Sequence, residues 1–408
     1  MIPRIAASTL FALARQYPVV TVTGPRQSGK TTLCRTAFPH KAYVNLEQPD
    51  VRAFARDDPR GFLRGYPDGA ILDEFQRAPE LPSYLQSLVD EDAAPGRYIL
   101  TGSEQLEALN RVSQSLAGRT GLLRLLPFSI EEMTGYFALT PAERLIHSGF
   151  YPRIHDRKLD PTRALGDYFS TYVQRDLRLL MNIGDLSAFE RFVRLAAARC
   201  GQILNLSALG ADAGVTHTTA RKWISLLEAS YIAFLLPPYF RNLSKRLVKS
   251  PKLYFHDVGL AAYLLGIQNE SHVLAHPLRG ALFENLVVVE ALKWFWHRGQ
   301  HAGLNFYRDS EGNEIDLLLE FATGVFPIEV KAGETVNADF FRGLRAFSRL
   351  YASAPPNGGG LVYGGDRTQV QHGTAVVPFD RTHDLIQSVA GGQESGRKIN
   401  PPGAAVQS

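Results

Sequence analysis

The chain has 408 residues, which at ordinary domain sizes predicts two or three domains. Hydrophobic residues make up 45% and charged residues 21%, a balance that excludes a disordered, collagen-like or disulfide-stapled chain. Lysine and arginine total 44 against 40 acids, so the net charge of +4 cannot by itself argue for a nucleic-acid partner, and placement must decide. The cysteines, Cys34 and Cys200, lie far apart without CxxC spacing, which excludes a disulfide framework or cysteine metal site and fits a reducing cytosol.

The N-terminal apolar stretch from Ile5 to Ala14 is closed by Arg15 and Gln16 with no cleavage-site pattern, and its spacing suits a short packed helix. YIAFLLPPYF is too short to span a bilayer, so a cytoplasmic protein without a membrane segment is expected. From Tyr17 to Ser129, the runs VVTVTG, AYVNLE, AILDE, RYILTGS and GLLRLLPFS read as strands. KTTLCRTAF, LPSYLQSLVDE and EQLEALNRVSQSLAG read as the helices between them. Continuous apolar strands alternating with helices predict a parallel α/β sheet covered on both faces.

Within that region, GPRQSGKT matches G-x-x-x-x-G-K-[ST], with a strand before it and a helix after it. The loop Gly24, Pro25, Arg26, Gln27, Ser28 and Gly29 would wrap the phosphates of ATP, with backbone N–H groups donated by its residues other than proline. Lys30 would reach the β and γ phosphates, and Thr31, followed by Thr32, would supply a hydroxyl to Mg²⁺. Downstream, the apolar run AILDE ends in acids, as a Walker B strand does. Asp73 is expected in the Mg²⁺ shell and Glu74 as the general base that polarises water. At the end of RYILTGS, Thr101 or Ser103 is placed to sense the γ-phosphate, and Arg119 or Arg175 is the candidate transition-state arginine.

Beyond Ile130 helices dominate. SAFERFVRLAAARCGQIL, then two helices around Gly214, then the candidate strands YIAFLLPPY and KLYFHD, outline a winged helix-turn-helix. Its second helix could present Arg221 and Lys222 to a DNA groove. The hairpin RNLSKRLVKSPK adds Arg241, Lys245, Arg246, Lys249 and Lys252 with no acid, enough to neutralise several phosphates. A structural or protein-binding wing is the alternative. In the last part, Asp316 lies at a strand end in EIDLLLEF and Glu329-Val330-Lys331 lies on the next strand, with Glu284 in a helix upstream. Alternation puts Glu329 and Lys331 on one face, and acids with a lysine suit a second, divalent-metal site for phosphodiester hydrolysis. The resulting division is an ATPase domain over 1–145, a helical lid and winged helix over 146–270, a third domain over 271–388 and a disordered tail over 389–408.

The order of these motifs, with YVNLEQPD, ILDEFQRAPEL, YVQRDL, HDVGLAAYLLG, GALFENLVVVE and GNEIDLLLE…IEVK, resembles prokaryotic AAA+-type P-loop ATPases. Those carry a C-terminal domain of unknown function with a PD-(D/E)xK nuclease-like fold. The resemblance runs from about Tyr17 to Phe379. It implies an AAA+ core, a winged helix and a restriction-endonuclease-like C-terminal domain, with Lys30, Thr31, Asp73 and Glu74 at the ATP site. One departure is that DFFRGLRAFSRLY lacks the glutamine motif of RecB-type nucleases. The expected function is an ATPase, forming a homo-oligomer, that couples hydrolysis to action of the C-terminal half on DNA. The alternatives are an ATP-dependent switch that grips a protein partner, and an ATP-stimulated, metal-dependent nuclease.

Overall fold

The computed structural model describes residues 2–103, 115–176, 184–239, 249–322, 324–351 and 359–395. Most of the helix expected over 104–118 lies outside them, as do Arg241, Lys245 and Arg246.

Five strands form the first sheet: β1 (Val19–Thr23), β2 (Ala42–Asn45), β3 (Ala70–Asp73), β4 (Tyr98–Gly102) and β5 (Thr120–Arg124). They run parallel in the order β2-β3-β4-β1-β5. The inner strands β1, β3 and β4 are buried at every position, and exposure appears only at the edges β2 and β5. That is how a sheet covered on both faces must read. Helices α1 (Ala6–Gln16) and α2 (Lys30–Ala37) bury Leu10 and Leu33 against Val20, Val22 and Ile99 on one face. The helices Pro59–Arg64 and Leu81–Glu91 bury Phe62 and Leu85 against Val19, Leu72 and Leu100 on the other.

The chain then turns helical. A short helix α3 (Pro152–Asp156) and the stretch Pro161–Asp176 return over the carboxyl edge of the sheet. Helices α4 (Leu186–Ala197), α5 (Leu206–Ala213) and α6 (His217–Ala229) follow, with Gly214 left-handed between the last two. Strands β6 (Ala233–Leu236) and β7 (Lys252–Phe255) pair antiparallel, and Ile203 adds a single bridge to Lys252.

Helix α7 (Arg279–His297) is the spine of the second half. Its burial runs almost all round, so its sequence shows little amphipathic bias. A mixed sheet packs on it: β8 (Leu304–Arg308), β9 (Glu314–Phe321), β10 (Gly324–Lys331), β11 (Gly360–Tyr363), β12 (Gln369–Gln371) and β13 (Thr374–Pro378), in the order β12-β13-β11-β10-β9-β8. Helix α8 (Arg342–Leu350) covers the far face with Leu344 and Phe347. The sequence reading stopped at GLVYGG and missed β12 and β13. It also misplaced the tail. Helix α9 (Thr382–Ser395) continues through 389–395, because Leu385, Ile386 and Val389 dock in the core shared with α7. The middle helices, β6–β7, α7 and one face of the mixed sheet share a single apolar cluster. Both cysteines are free and buried, and among the described residues no helix is long and apolar enough to cross a membrane.

Candidate functional site

The turn after β1 is shaped by two glycines. A Cβ at Gly24 (φ +151°) would sit 2.0 Å from the Leu125 carbonyl oxygen, and Gly29 (φ +91°) is the left-handed cap that opens α2. Both conformations suit glycine, and together they wrap the backbone around the start of a helix. Lys30 lies inside this loop, 95% buried, and donates to the carbonyls of Gly24 (2.9 Å) and Pro25 (2.8 Å). Burial lowers its pKa, opposed by the charges of Glu74 and Asp73. The far end of the loop is fixed by Arg4, which donates to the Ser28 carbonyl at 2.7 Å and pairs with Glu132 at 3.0 Å.

The parallel sheet brings its acids here because β1, β3 and β4 end together; Asp73 stands opposite Thr101, and Thr23 opposite Gly102. Asp73 accepts from the hydroxyls of Thr31 (2.9 Å), Tyr43 (2.7 Å) and Thr101. Thr31 and Asp73 are adjacent hard oxygen donors at a helix N-terminus, a donor set that fits Mg²⁺. Glu74 takes the left-handed conformation (φ +56°), which turns it off the strand, where Ser103 (3.1 Å) and Gln76 donate to it. A cavity of about 490 Å³ opens above, lined by Arg26, Gln27, Gly29, Lys30, Thr31, Thr32 and Glu74 from the first domain. Its opposite wall is Pro152, Arg153, Asp156 and Arg157 on and after α3, with Tyr168 and Tyr172 beyond; the Arg26 guanidinium lies 5.1 Å from the Tyr172 ring.

The sequence reading missed Tyr43, Arg153 and Arg157. Tyr43 lies in the run AYVNLE, which reads only as a strand, and no motif marks the arginines. They reach the site because the chain folds back after Gly149. Of the arginines it did choose, with cis or neighbouring-subunit action left open, Arg119 lies away from this chain's phosphate loop. It precedes β5 at the opposite end of the sheet from the phosphate loop and pairs with Asp90 at 2.5 Å, so it does not belong to this chain's own nucleotide site. Arg175 lies in the helical stretch Phe169–Asp176, but its side chain falls outside the described residues.

The C-terminal acids also converge, with a different result. Lys331 bridges Glu329 (2.6 Å) and Asp316 (3.2 Å), and Asp316 accepts the Val330 amide at 2.9 Å. Lys252 was expected among the DNA-contacting charges. Instead it is 2% exposed and pairs with Glu284 (2.8 Å) and Glu314 (2.5 Å), while Tyr254 donates to Glu284. Burial pushes the Glu284 pKa up to about 7, helped by Asp316 and opposed by Lys252. Burial and Asp316 raise Glu329, whereas for Asp316 the effect of burial is outweighed by Lys331 and Lys252, which hold it low. Among the described residues no group of three or more His, Cys, Asp or Glu side chains is arranged to hold a metal. Of the expected second site, Asp316, Glu329 and Lys331 are brought together, while Glu284 pairs with Lys252. Arg221 and Lys222 are exposed on α6, and Lys249 is exposed before β7.

A parallel sheet with a glycine loop around a lysine, and a strand-end acid beside it, defines a P-loop nucleotide-binding domain of the AAA type. The model of an AAA domain matches residues 16–134. Two domains of unknown function match 140–271 (DUF8612) and 279–381 (DUF4143). The uncharacterized proteins Rv2008c of Mycobacterium tuberculosis and Mb2031c of Mycobacterium bovis are each 31% identical over 336 residues, covering 81% of this chain and 74% of theirs. The chain belongs to the family of these two proteins, with an AAA-type ATPase domain at its N-terminal end. The Walker-type ATPase PABY2304 of Pyrococcus abyssi is similar in structure at a TM-score of 0.44 and 15% identity, over 64% of this chain and 94% of that one.

Proposed function

We propose that the protein hydrolyses ATP with Mg²⁺ and uses the cycle to act, through its C-terminal half, on DNA. The observation that carries the reading is Glu74, turned off its strand beside Lys30 and Thr31 at the rim of an open cavity. Mg²⁺, when bound, supplies positive charge against the phosphates; Thr31 and Asp73 would hold it. Lys30 would exchange its two loop carbonyls for phosphate oxygens, and Arg153 and Arg157 face the same space. Glu74 would orient water once Ser103 and Gln76 release it.

The DNA part rests on the middle segment read as a winged helix, with α6 as its exposed helix carrying Arg221 and Lys222, and on Lys249 at its hairpin. Assembly into a homo-oligomer belongs to the same reading. A second reading, a slow ATP-dependent switch with a protein partner, is favoured by one feature: Glu74 is already held by two donors. The nuclease reading rests on Asp316, Glu329 and Lys331, which neighbouring strands bring together. ATP turnover with and without single-stranded, duplex and branched DNA separates them. Stimulation by one form supports the first reading, and a rate indifferent to every form removes it. Turnover that persists at the parental rate in Lys30→Ala would remove hydrolysis at this site altogether.

A further inference from the structure

Helix α6 ends in an arrangement that normally calls for glycine. The Ile232 amide donates to the Leu227 carbonyl (2.9 Å) and the Tyr231 amide to the Glu228 carbonyl (3.1 Å), the paired bonds of a Schellman cap. The residue at its left-handed position is Tyr231, with φ +55°. A bulky side chain there costs about 1 kcal/mol or more and persists only where something else holds it. The ring is fully buried, and its hydroxyl lies 2.9 Å from the Thr23 hydroxyl. Thr23 is the last residue of β1, immediately before Gly24.

The surroundings tie this contact to the rest of the second half. The Tyr231 ring lies 5.6 Å from His256, which follows β7 and donates its amide to the Ile232 carbonyl, and 6.4 Å from Trp296 of α7. The Arg124 guanidinium packs 4.8 Å from Trp296, and Arg124 is the residue paired with Thr23 in the sheet. The entry of the phosphate loop is therefore held by the junction of α6, β6 and β7, while its far end is held by Arg4.

We propose that Tyr231 is a positioning residue for the phosphate loop, through which nucleotide binding and the placement of α6, β6 and β7 are energetically linked. It is not a catalytic residue: it acts on Gly24 through Thr23. The proposal rests on the nucleotide-site reading above. Linkage is reciprocal, so whatever shifts β6–β7 must also change nucleotide affinity.

The test uses the full chain, a non-hydrolysable ATP analogue with Mg²⁺, and amide hydrogen exchange. In the parent, binding is expected to raise protection over 232–236 and 252–256. Tyr231→Phe, which removes only the hydroxyl, should weaken analogue binding roughly two- to tenfold, the worth of one buried hydrogen bond. It should also abolish the change in protection when saturated. Thr23→Val breaks the same bond from the other side and should reproduce both effects. In turnover, KM should rise more than kcat falls. Analogue binding in the parent without a change over β6–β7, or a change transmitted undiminished by both variants, overturns the proposal alone. A parent chain that binds no analogue overturns the nucleotide-site reading, and this proposal with it.

Discussion

Two groups of carboxylates cluster in this molecule, one at strand ends of the parallel sheet and one where the mixed sheet meets α7, and they differ in what holds them. Asp73 and Glu74 are held by hydroxyl and amide donors: Thr31, Tyr43, Thr101, Ser103 and Gln76. Those hydrogen-bond partners are neutral, the nearby Lys30 ammonium donates to the loop carbonyls of Gly24 and Pro25, and the cavity beside the acids is open. Glu284, Glu314, Asp316 and Glu329 are held by Lys252 and Lys331, which already supply two positive charges. The first pair thus has no ammonium in direct contact, whereas the second group does. With ammonium groups in place, the same residue types form a buried ionic joint between β7, α7 and the mixed sheet.

The largest expected effect breaks the comparison at its catalytic side. Glu74→Gln should lower kcat for ATP by roughly 10²–10⁴ while nucleotide still binds, the range for removing a general base. Asp316→Ala and Lys331→Ala should leave ATP turnover within about twofold, since distant sites add independently. Equal losses from Glu74→Gln and Asp316→Ala would show that the two clusters act as one site and would end the contrast.

The next effect lies on the ionic side. Lys252→Met leaves Glu284 and Glu314 without their buried partner and should cost about 3–5 kcal/mol in chemical denaturation. Adding Glu284→Gln to Lys252→Met should restore part of that. A silent Lys252→Met would mean that the joint carries no stability. A smaller, pH-dependent effect follows from Glu284. Its folded pKa of about 7 lies above its ordinary value of 4.5, so the folded state holds the proton more tightly. Its contribution is fully present below pH 4.5 and is lost as pH rises through about 7. Melting temperature should therefore fall between pH 5 and 7.5 more in the parent than in Glu284→Gln. Parallel curves would refute the assignment to Glu284.

The contrast also explains what the sequence disclosed. The phosphate loop, the order of strand and helix around it, and Asp73 with Glu74 were legible because local spacing dictates them: a glycine turn, a helix start, an apolar run ending in acids. Arg153, Arg157 and Tyr43 were not, because their place depends on a chain reversal and a sheet order that spacing does not encode. Lys252 was misread for the same reason. In RNLSKRLVKSPK it is one of five basic residues, and only the pairing of β7 with β6 and the approach of α7 show it to be buried between glutamates. Strands β12 and β13 were missed because QVQ and TAVVP are short and interrupted by turn residues. Glycines and polar residues in α9 masked a helix that tertiary packing of Leu385, Ile386 and Val389 imposes.

The smallest effect tests whether burial, rather than the number of hydrogen bonds, sets the worth of each neutral partner of Asp73. Thr101 and Tyr43 donate to the same carboxylate, yet Thr101 is fully buried while Tyr43 is 36% exposed. When a buried donor is removed, the carboxylate oxygen loses a bond that water cannot replace, at about 1–3 kcal/mol. At the exposed position water takes the place of the phenol, so the cost should fall to roughly 0.5 kcal/mol or less. Thr101→Val should therefore cost about 1–3 kcal/mol in chemical denaturation, and Tyr43→Phe roughly 0.5 kcal/mol or less, at fixed pH and salt. If Tyr43→Phe proves the more damaging, the phenol is doing more than satisfying Asp73.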